Sequence, residues 1–228
     1  MKEFLFDSAE FRTELGKSAH AAGEVEVLES IAKPGMHAIE VGGNHGVTAV
    51  AIASQIGSQG WLYTFEPVPE FFAVLEGNLR RNHVENASAH PLAVTDRPGR
   101  TRFYKHGGGS GIAPAGEAEQ IWVDTTSITD FLTRHGAGRI GLLNMDCEGS
   151  ELLALQGAQP LLRDDAPQIF CEVHHGYLQQ VGQSAEELVA YLQRFGYHVK
   201  PLQMERLHEE ATLEACSHIH ACKPERSR

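Results

Sequence analysis

The sequence lacks what a membrane protein or a polyanion binder needs. No stretch approaches the ~18 consecutive apolar residues that span a bilayer. The opening stretch MKEFLFDSAEF carries charges at Lys2, Glu3, Asp7 and Glu10, and has no apolar core of the kind a secretory leader requires. Basic residues are the minority: 19 Lys and Arg stand against 30 Asp and Glu, a net charge of −11 at pH 7. Such a chain is a poor partner for nucleic acid or an anionic membrane. Cysteine is scarce. Cys147, Cys171, Cys216 and Cys222 each lie in or beside an apolar, strand-like segment, so they read as buried reduced thiols of a cytoplasmic protein.

The rest of the composition is ordinary, with 42% apolar and 21% charged residues. A chain of 228 residues buries roughly 70% of its unfolded surface and needs neither disulfide nor metal to fold. No repeat or long low-complexity stretch occurs. The expected organisation is an N-terminal helical extension over 1–30, one domain over 31–222 and a flexible polar tail over 223–228. Self-association stays open. The unusual count is 13 histidines, which raises metal binding or proton transfer.

The pattern along the chain alternates short apolar runs with 10–15-residue helical segments. Strands are expected at HAIEV (37–41), WLYTFEP (61–67), SAHPLAV (88–94), IGLLNMD (140–146) and QIFCEVH (168–174). Helices are expected over 9–31, 46–56, 69–82, 127–135 and 185–195, and from 147 to Gly157. Ser127 is the expected N-cap of the fourth of these. RTRFYKH and EQIWVDTT read as an inserted hairpin or two edge strands. HVKPLQ and SHIHACK read as a closing antiparallel pair. This order predicts an α/β fold with a mostly parallel sheet, helices on both faces and an antiparallel edge. Ligands of such sheets bind beyond the carboxyl ends of the strands.

The first strand ends in Glu40-Val41-Gly42-Gly43-Asn44-His45-Gly46, and a helix follows. The glycines allow a sharp turn and close approach of a ligand. The helix N-terminus offers free N–H groups to an anion such as a carboxylate. This is not the G-x-G-x-x-G of dinucleotide binding, and the acid before the first glycine repels a pyrophosphate. It suits a cationic group such as the ammonium of an amino acid. The second strand ends in Glu66-Pro67, and Glu66 is placed to accept the two hydroxyls of a ribose. An amino acid joined to a nucleoside describes S-adenosylmethionine. Asp96, after the third strand, could accept from an adenine amine or serve only its own turn.

Three segments carry a family resemblance. AIEVGGNHG resembles the D-V-G-A-N-x-G loop of the FkbM methyltransferases, with Glu40 in place of the aspartate. GWLYTFEPVPEFFAVLEGNLRRN resembles their V-x-A-F-E-P strand and its helix. LLNMDCEGSELLALQGA resembles their I-K-x-D-V-E-G-x-E-x-x-V-L-x-G-A segment, with Asn144 and Cys147 as departures. The resemblance covers roughly residues 36–200. It implies a class I, Rossmann-like methyltransferase fold with a seven-stranded sheet, S-adenosylmethionine as cofactor, and O-methylation of a small-molecule hydroxyl such as that of a sugar or secondary metabolite. A non-catalytic cofactor-binding subunit of the same fold is the alternative.

Methyl transfer to a hydroxyl needs alignment and help with a proton. Asp146 ends the fourth parallel strand and Glu148 opens the next helix; either serves the reaction, or Glu148 or Ser150 caps that helix while Asp146 only orients the loop. In the next strand, alternation puts Phe170, Glu172 and His174 on one face and Cys171 and Val173 on the other. Three readings stay open there. His174 or His175 is a general base, or Asp146, Glu172 and His174 ligate a divalent cation such as Mg²⁺, or His174 is a hydrogen-bonded structural group. CSHIHAC places Cys216, His218, His220 and Cys222 on one face of a strand, but alternate residues lie roughly 6.6 Å apart, too far to surround one zinc ion. The loop HGGGSGIAPAG (106–116) is a lid over substrate or a plain surface loop. His20 and Glu24 lie on a helix that could cover the site.

Overall fold

Short runs of β-branched and aromatic residues bounded by glycine or proline make the strands, and the segments between them, apolar at every third or fourth position, make the helices. The computed structural model describes residues 18–224 apart from 108, 115, 116 and 208. The expected start of the first helix and the end of the expected tail lie outside these residues. The first half runs α1 (Ala19–Ile31), β1 (His37–Val41), α2 (Val47–Ile56), β2 (Trp61–Phe65), α3 (Pro69–Arg81), β3 (Ala87–His90) and β4 (Ala93–Val94). Then come β5 (Gly99–Lys105), β6 (Glu119–Thr126), α4 (Ile128–His135), β7 (Ile140–Met145), α5 (Glu151–Gln156) and β8 (Gln168–Glu172). The last elements are α6 (His175–Gln180), α7 (Ala185–Arg194), β9 (His198–Leu202) and β10 (His218–Cys222).

Seven strands form one sheet in the order β3-β2-β1-β7-β8-β10-β9. All pairings are parallel except those of β10, which is antiparallel to both β8 and β9. The terminal strands are therefore an antiparallel pair, as the sequence suggests. They are not a simple edge, because β10 inserts between β8 and β9. The expected strand over 88–94 breaks in two at Pro91, which has no N–H to give a ladder. Its second piece, β4, joins the β5–β6 hairpin in a separate three-stranded sheet.

One face of the main sheet packs Ile39, Leu143 and Ile169 against Phe131, Leu155 and Leu188 of α4, α5 and α7. The other packs Ala38, Leu62 and Leu142 against Leu28, Ile52 and Leu75 of α1, α2 and α3. Cys171 and Val173 belong to the first face and Phe170 to the second, the alternation expected for this strand. Ser127 accepts from the Asp130 N–H at 3.1 Å, so the expected cap is present.

Register places the functional edge. Val41 lies opposite Phe65 and Met145, and Met145 lies opposite Cys171. The carboxyl ends are therefore flush. The next residues, Glu66, Gly42, Asp146 and Glu172, stand in a row across the sheet. His218 pairs with Glu172 and extends this row, because the antiparallel β10 begins where the parallel strands end.

Candidate active site

The middle of the row is a backbone frame. The N–H groups of Gly42 and Gly43 both donate to the Phe65 carbonyl, at 3.0 and 2.8 Å, and Asp146 N–H donates to Val41 at 2.8 Å. Gly42 has φ of 90°, and a Cβ there would lie 1.7 Å from the Asp146 carbonyl oxygen, so only glycine lets the two loops meet. The turn carries Asn44 at φ 44°, whose N–H donates to Glu66 Oε2 at 2.9 Å. Val68 N–H donates to Glu66 Oε1 at 2.8 Å. Burial raises the Glu66 carboxyl to about 7. Asn44 Oδ1 is buried and has no hydrogen-bond partner among the described residues. Glu40 is fully buried under this loop, where Thr64 donates to it at 2.6 Å and Asn144 at 3.3 Å. Burial raises its pKa as well, against those hydrogen bonds.

Two lobes of a cleft open on the row. One, of about 470 Å³, is mostly apolar and includes Val41, Phe65, Pro67, Phe71, Val94 and Phe103, with Glu66 at its wall. The other, of about 800 Å³, is polar and includes His20, Glu24, Thr48, Asn144 and Glu172. Gly42, Asn44, Asp146 and Glu148 line both, so the lobes communicate at the glycine turn. Ser110 lines the apolar lobe, and Tyr104 and Gly111 exchange backbone hydrogen bonds at 2.8 and 3.1 Å. The glycine segment is thus docked against the cleft where it is described; Gly108, Ala115 and Gly116 lie outside the described residues.

Beyond Asp146 the row becomes charged. His174 Nδ1 lies 2.8 Å from Glu151 Oε1, and Glu151 is wholly buried. This aims Nε2 among three carboxylates: Glu148 at 3.1 Å, Asp146 at 3.5 Å and Glu172 at 3.6 Å. Burial opposes charge on His174, but hydrogen bonds to Glu148 and Glu151 outweigh it and raise its pKa well above the usual imidazole range. Desolvation, then the Glu172 charge, raises Asp146 well above the carboxylate norm, and burial raises Glu148. Glu172 goes the other way. Burial would raise it, but the hydrogen bond from His20 and the charges of His174 and His218 hold it low. The hydrogen bond to Glu172 also carries His20 up to about 9.

Residues 40–199, more than half of the chain, match the family model for the methyltransferase FkbM domain. The chain belongs to the FkbM methyltransferase family. No curated protein matches it. Among solved structures, this FkbM chain is similar to a methyltransferase FkbM from Methylobacillus flagellatus KT, at 16% identity and TM-score 0.57, over 90% of this chain and 52% of that one. It therefore spans about half the length of that relative. It is also similar to an O-methyltransferase from Bacillus cereus solved with S-adenosylhomocysteine, at 13% identity and TM-score 0.53, over 94% and 88% of the two chains. A third is an S-adenosylmethionine-dependent O-methyltransferase from Thermotoga maritima, at 15% identity and TM-score 0.52, over 91% and 66%. These likenesses establish the class I, Rossmann-like methyltransferase fold.

Of the residues singled out in the FkbM chain, the structure brings Glu40, Val41, Gly42, Gly43, Asn44, Gly46, Glu66 and Pro67 to the glycine turn and its surroundings. Asp146, Glu148, Glu172 and His174 meet beside them. It does not bring His175, which opens α6 and sets Nε2 3.1 Å from the Cys216 carbonyl. Asp96 stands outside the lining of both lobes and pairs with exposed Arg97 at 3.3 Å. Ser150 takes the N-cap position of α5, yet its hydroxyl donates to the Cys147 carbonyl at 2.9 Å, so no side chain caps that helix. The expected ligand trio regroups. Asp146 and His174 gather with Glu148, whereas Glu172 gathers with His20, Glu24 and His218. The residues of CSHIHAC do not converge: Cys216 turns to Leu213, and His220 to Gln168. Sequence reasoning missed Glu151 and the approach of His218. The first is the second glutamate of the D-V-E-G-x-E motif, so its signal was in the sequence, and the second depends on where β10 inserts.

Proposed function

We propose that this FkbM-family chain is an S-adenosylmethionine-dependent methyltransferase acting on a hydroxyl of a small molecule, such as a sugar or secondary metabolite, in a reducing, cytoplasmic setting. The observation that carries it is the row Glu66, Gly42, Asp146 with the His174 cluster at its side. It joins an apolar lobe to a group of proton carriers across one glycine turn.

The cofactor fits this frame. The free Asn44 Oδ1 and the N-terminus of α2 face the turn, and the place a Gly42 Cβ would occupy is already filled by backbone. Glu66 would accept the ribose hydroxyls and the apolar lobe would enclose the adenine, while the turn and Glu40 beneath it would receive the methionine end. When bound, S-adenosylmethionine supplies an electrophilic methyl group. Asp146 would take the proton of the acceptor hydroxyl, and the His174 imidazolium, fixed by Glu151, would orient that hydroxyl and the carboxylate. Four free cysteines are consistent with the reducing setting.

Calorimetry with S-adenosylmethionine, followed by a methyl-transfer assay over a panel of hydroxyl acceptors, tests both parts. Absence of cofactor binding sinks the reading. Binding without transfer, unchanged in Asp146→Ala, turns it toward a non-catalytic subunit.

A further inference from the structure

The second group of ligating atoms lies in His20, Glu24 and Glu172, in the wall of the polar lobe, and in buried His218. It shares Glu172 with the His174 cluster, and the other three residues have no part in the reading above. We infer that these four side chains form a binding site for one divalent transition-metal ion, built between α1, β8 and β10.

The spacing fits an ion. One ligand atom from each residue can be chosen so that all lie within 4.8 Å of one another. His218 Nε2 lies 3.2 Å from Glu24 Oε1 and 4.0 Å from Glu172 Oε2, and His20 Nε2 lies 3.4 Å from Glu172 Oε1. Ligands about 2.1 Å from a tetrahedral ion stand about 3.4 Å apart. Two carboxylates with two neutral imidazoles also balance a dication, and a mixed nitrogen and oxygen set favours Zn²⁺, Mn²⁺ or Fe²⁺ over the all-oxygen preference of Mg²⁺.

The shell behind the ligands is the independent observation. Both imidazoles point Nε2 inward because Nδ1 is occupied. Glu205 lies 3.0 Å from His20 Nδ1, and the Ser217 hydroxyl lies 3.2 Å from His218 Nδ1. A carboxylate or hydroxyl on the second nitrogen is how proteins fix the tautomer and direction of a ligating histidine. The His218 ring is almost fully buried and stacks on Phe170, with centroids 4.7 Å apart and planes 18° apart. The helix is shaped for the approach. His20 and Glu24 share a face at i and i+4. Between them Gly23 meets the Met204 backbone so closely that a Cβ would lie 2.6 Å from its carbonyl oxygen. A mid-helix glycine weakens a helix relative to alanine, and here it lets α1 sit down on the ligands of the sheet.

The untagged full chain, stripped with EDTA and desalted, is titrated with Zn²⁺ and with Mn²⁺ by calorimetry and thermal unfolding. The expected result is one equivalent bound with a rise in Tm, since the ion binds only the folded chain. His20→Ala and Glu24→Gln, both partly exposed, should each weaken binding by at least ~10-fold, and Glu205→Gln by about as much. Circular dichroism confirms that each variant is folded. No binding of either ion overturns the inference. So does binding that these substitutions leave intact, including the case where Glu148→Gln abolishes it, which assigns the ion to the His174 cluster instead. S-Adenosylmethionine titrations of the same samples report separately, so absence of metal binding by the parent chain with its cofactor binding retained overturns this site alone.

Discussion

The two halves of one sheet edge treat their acids in opposite ways. On the β2–β1 side, Glu66 and Glu40 are buried with no cation beside them among the described residues, and are held by backbone N–H groups, a threonine and an asparagine. On the β7–β8–β10 side, Asp146, Glu148, Glu151 and Glu172 surround imidazoles. A carboxylate held by N–H donors is a fixed acceptor, tuned by geometry and lying beside an apolar lobe. Carboxylates interleaved with imidazoles can redistribute protons or accept a cation, because several charge states lie close together. Under the proposed function, the first half would recognise shape and hydroxyls and the second would handle charge.

The largest effect should come from breaking the joint between the halves. Gly42→Ala forces a Cβ into the Asp146 carbonyl at a left-handed φ, and should cost roughly 4 kcal/mol of stability together with cofactor binding. Urea unfolding and calorimetry measure both; a loss below about 1 kcal/mol would show that the turn is free to relax. Next is a substitution confined to the charged half. His174→Gln should lower methyl transfer by about 10²–10⁴ while S-adenosylmethionine affinity stays within a few fold. Equal losses in both quantities would mean that the halves do not divide the labour.

The fold was legible because its signals are local. Alternation in QIFCEVH put Glu172 and His174 on one face, and the glycine turn and Ser127 cap were readable from neighbours in sequence. Pro91 alone splits the third strand, a signal present in the sequence but outweighed by the apolar run around it. What stayed hidden is non-local. Asp96 and His175 lie next to the right strand ends, but one turns out to Arg97 and the other to the carbonyl of Cys216. His218 reads as an ordinary strand residue until β10 is inserted antiparallel beside β8, which brings it opposite Glu172. Among the described histidines, three stand in the charged half of the edge, His20, His174 and His218; the sequence places His174 there and puts His20 only on a helix that could cover the site.

The smallest effect belongs to the neutral half. Glu66→Gln keeps the shape but replaces one carboxylate oxygen with an amide donor, giving up one of the two hydrogen bonds from Asn44 and Val68 N–H and weakening the acceptor, so cofactor affinity should fall about tenfold with kcat at saturation little changed. The same variant tests the electrostatics. The folded chain holds the Glu66 proton up to about pH 7, above the ordinary carboxylate value of 4.5, so it binds more protons than the unfolded chain between those values. Stability must then rise as pH falls from 7 toward 4.5, because protonation removes the cost of burying the charge. Unfolding curves across this window should show that rise in the parent chain and a flatter profile in Glu66→Gln. Cofactor binding should run the opposite way and weaken as pH falls through 7, since ribose hydroxyls donate better to the ionised carboxylate. If both profiles coincide in parent and variant, Glu66 is not the titrating group of the neutral half.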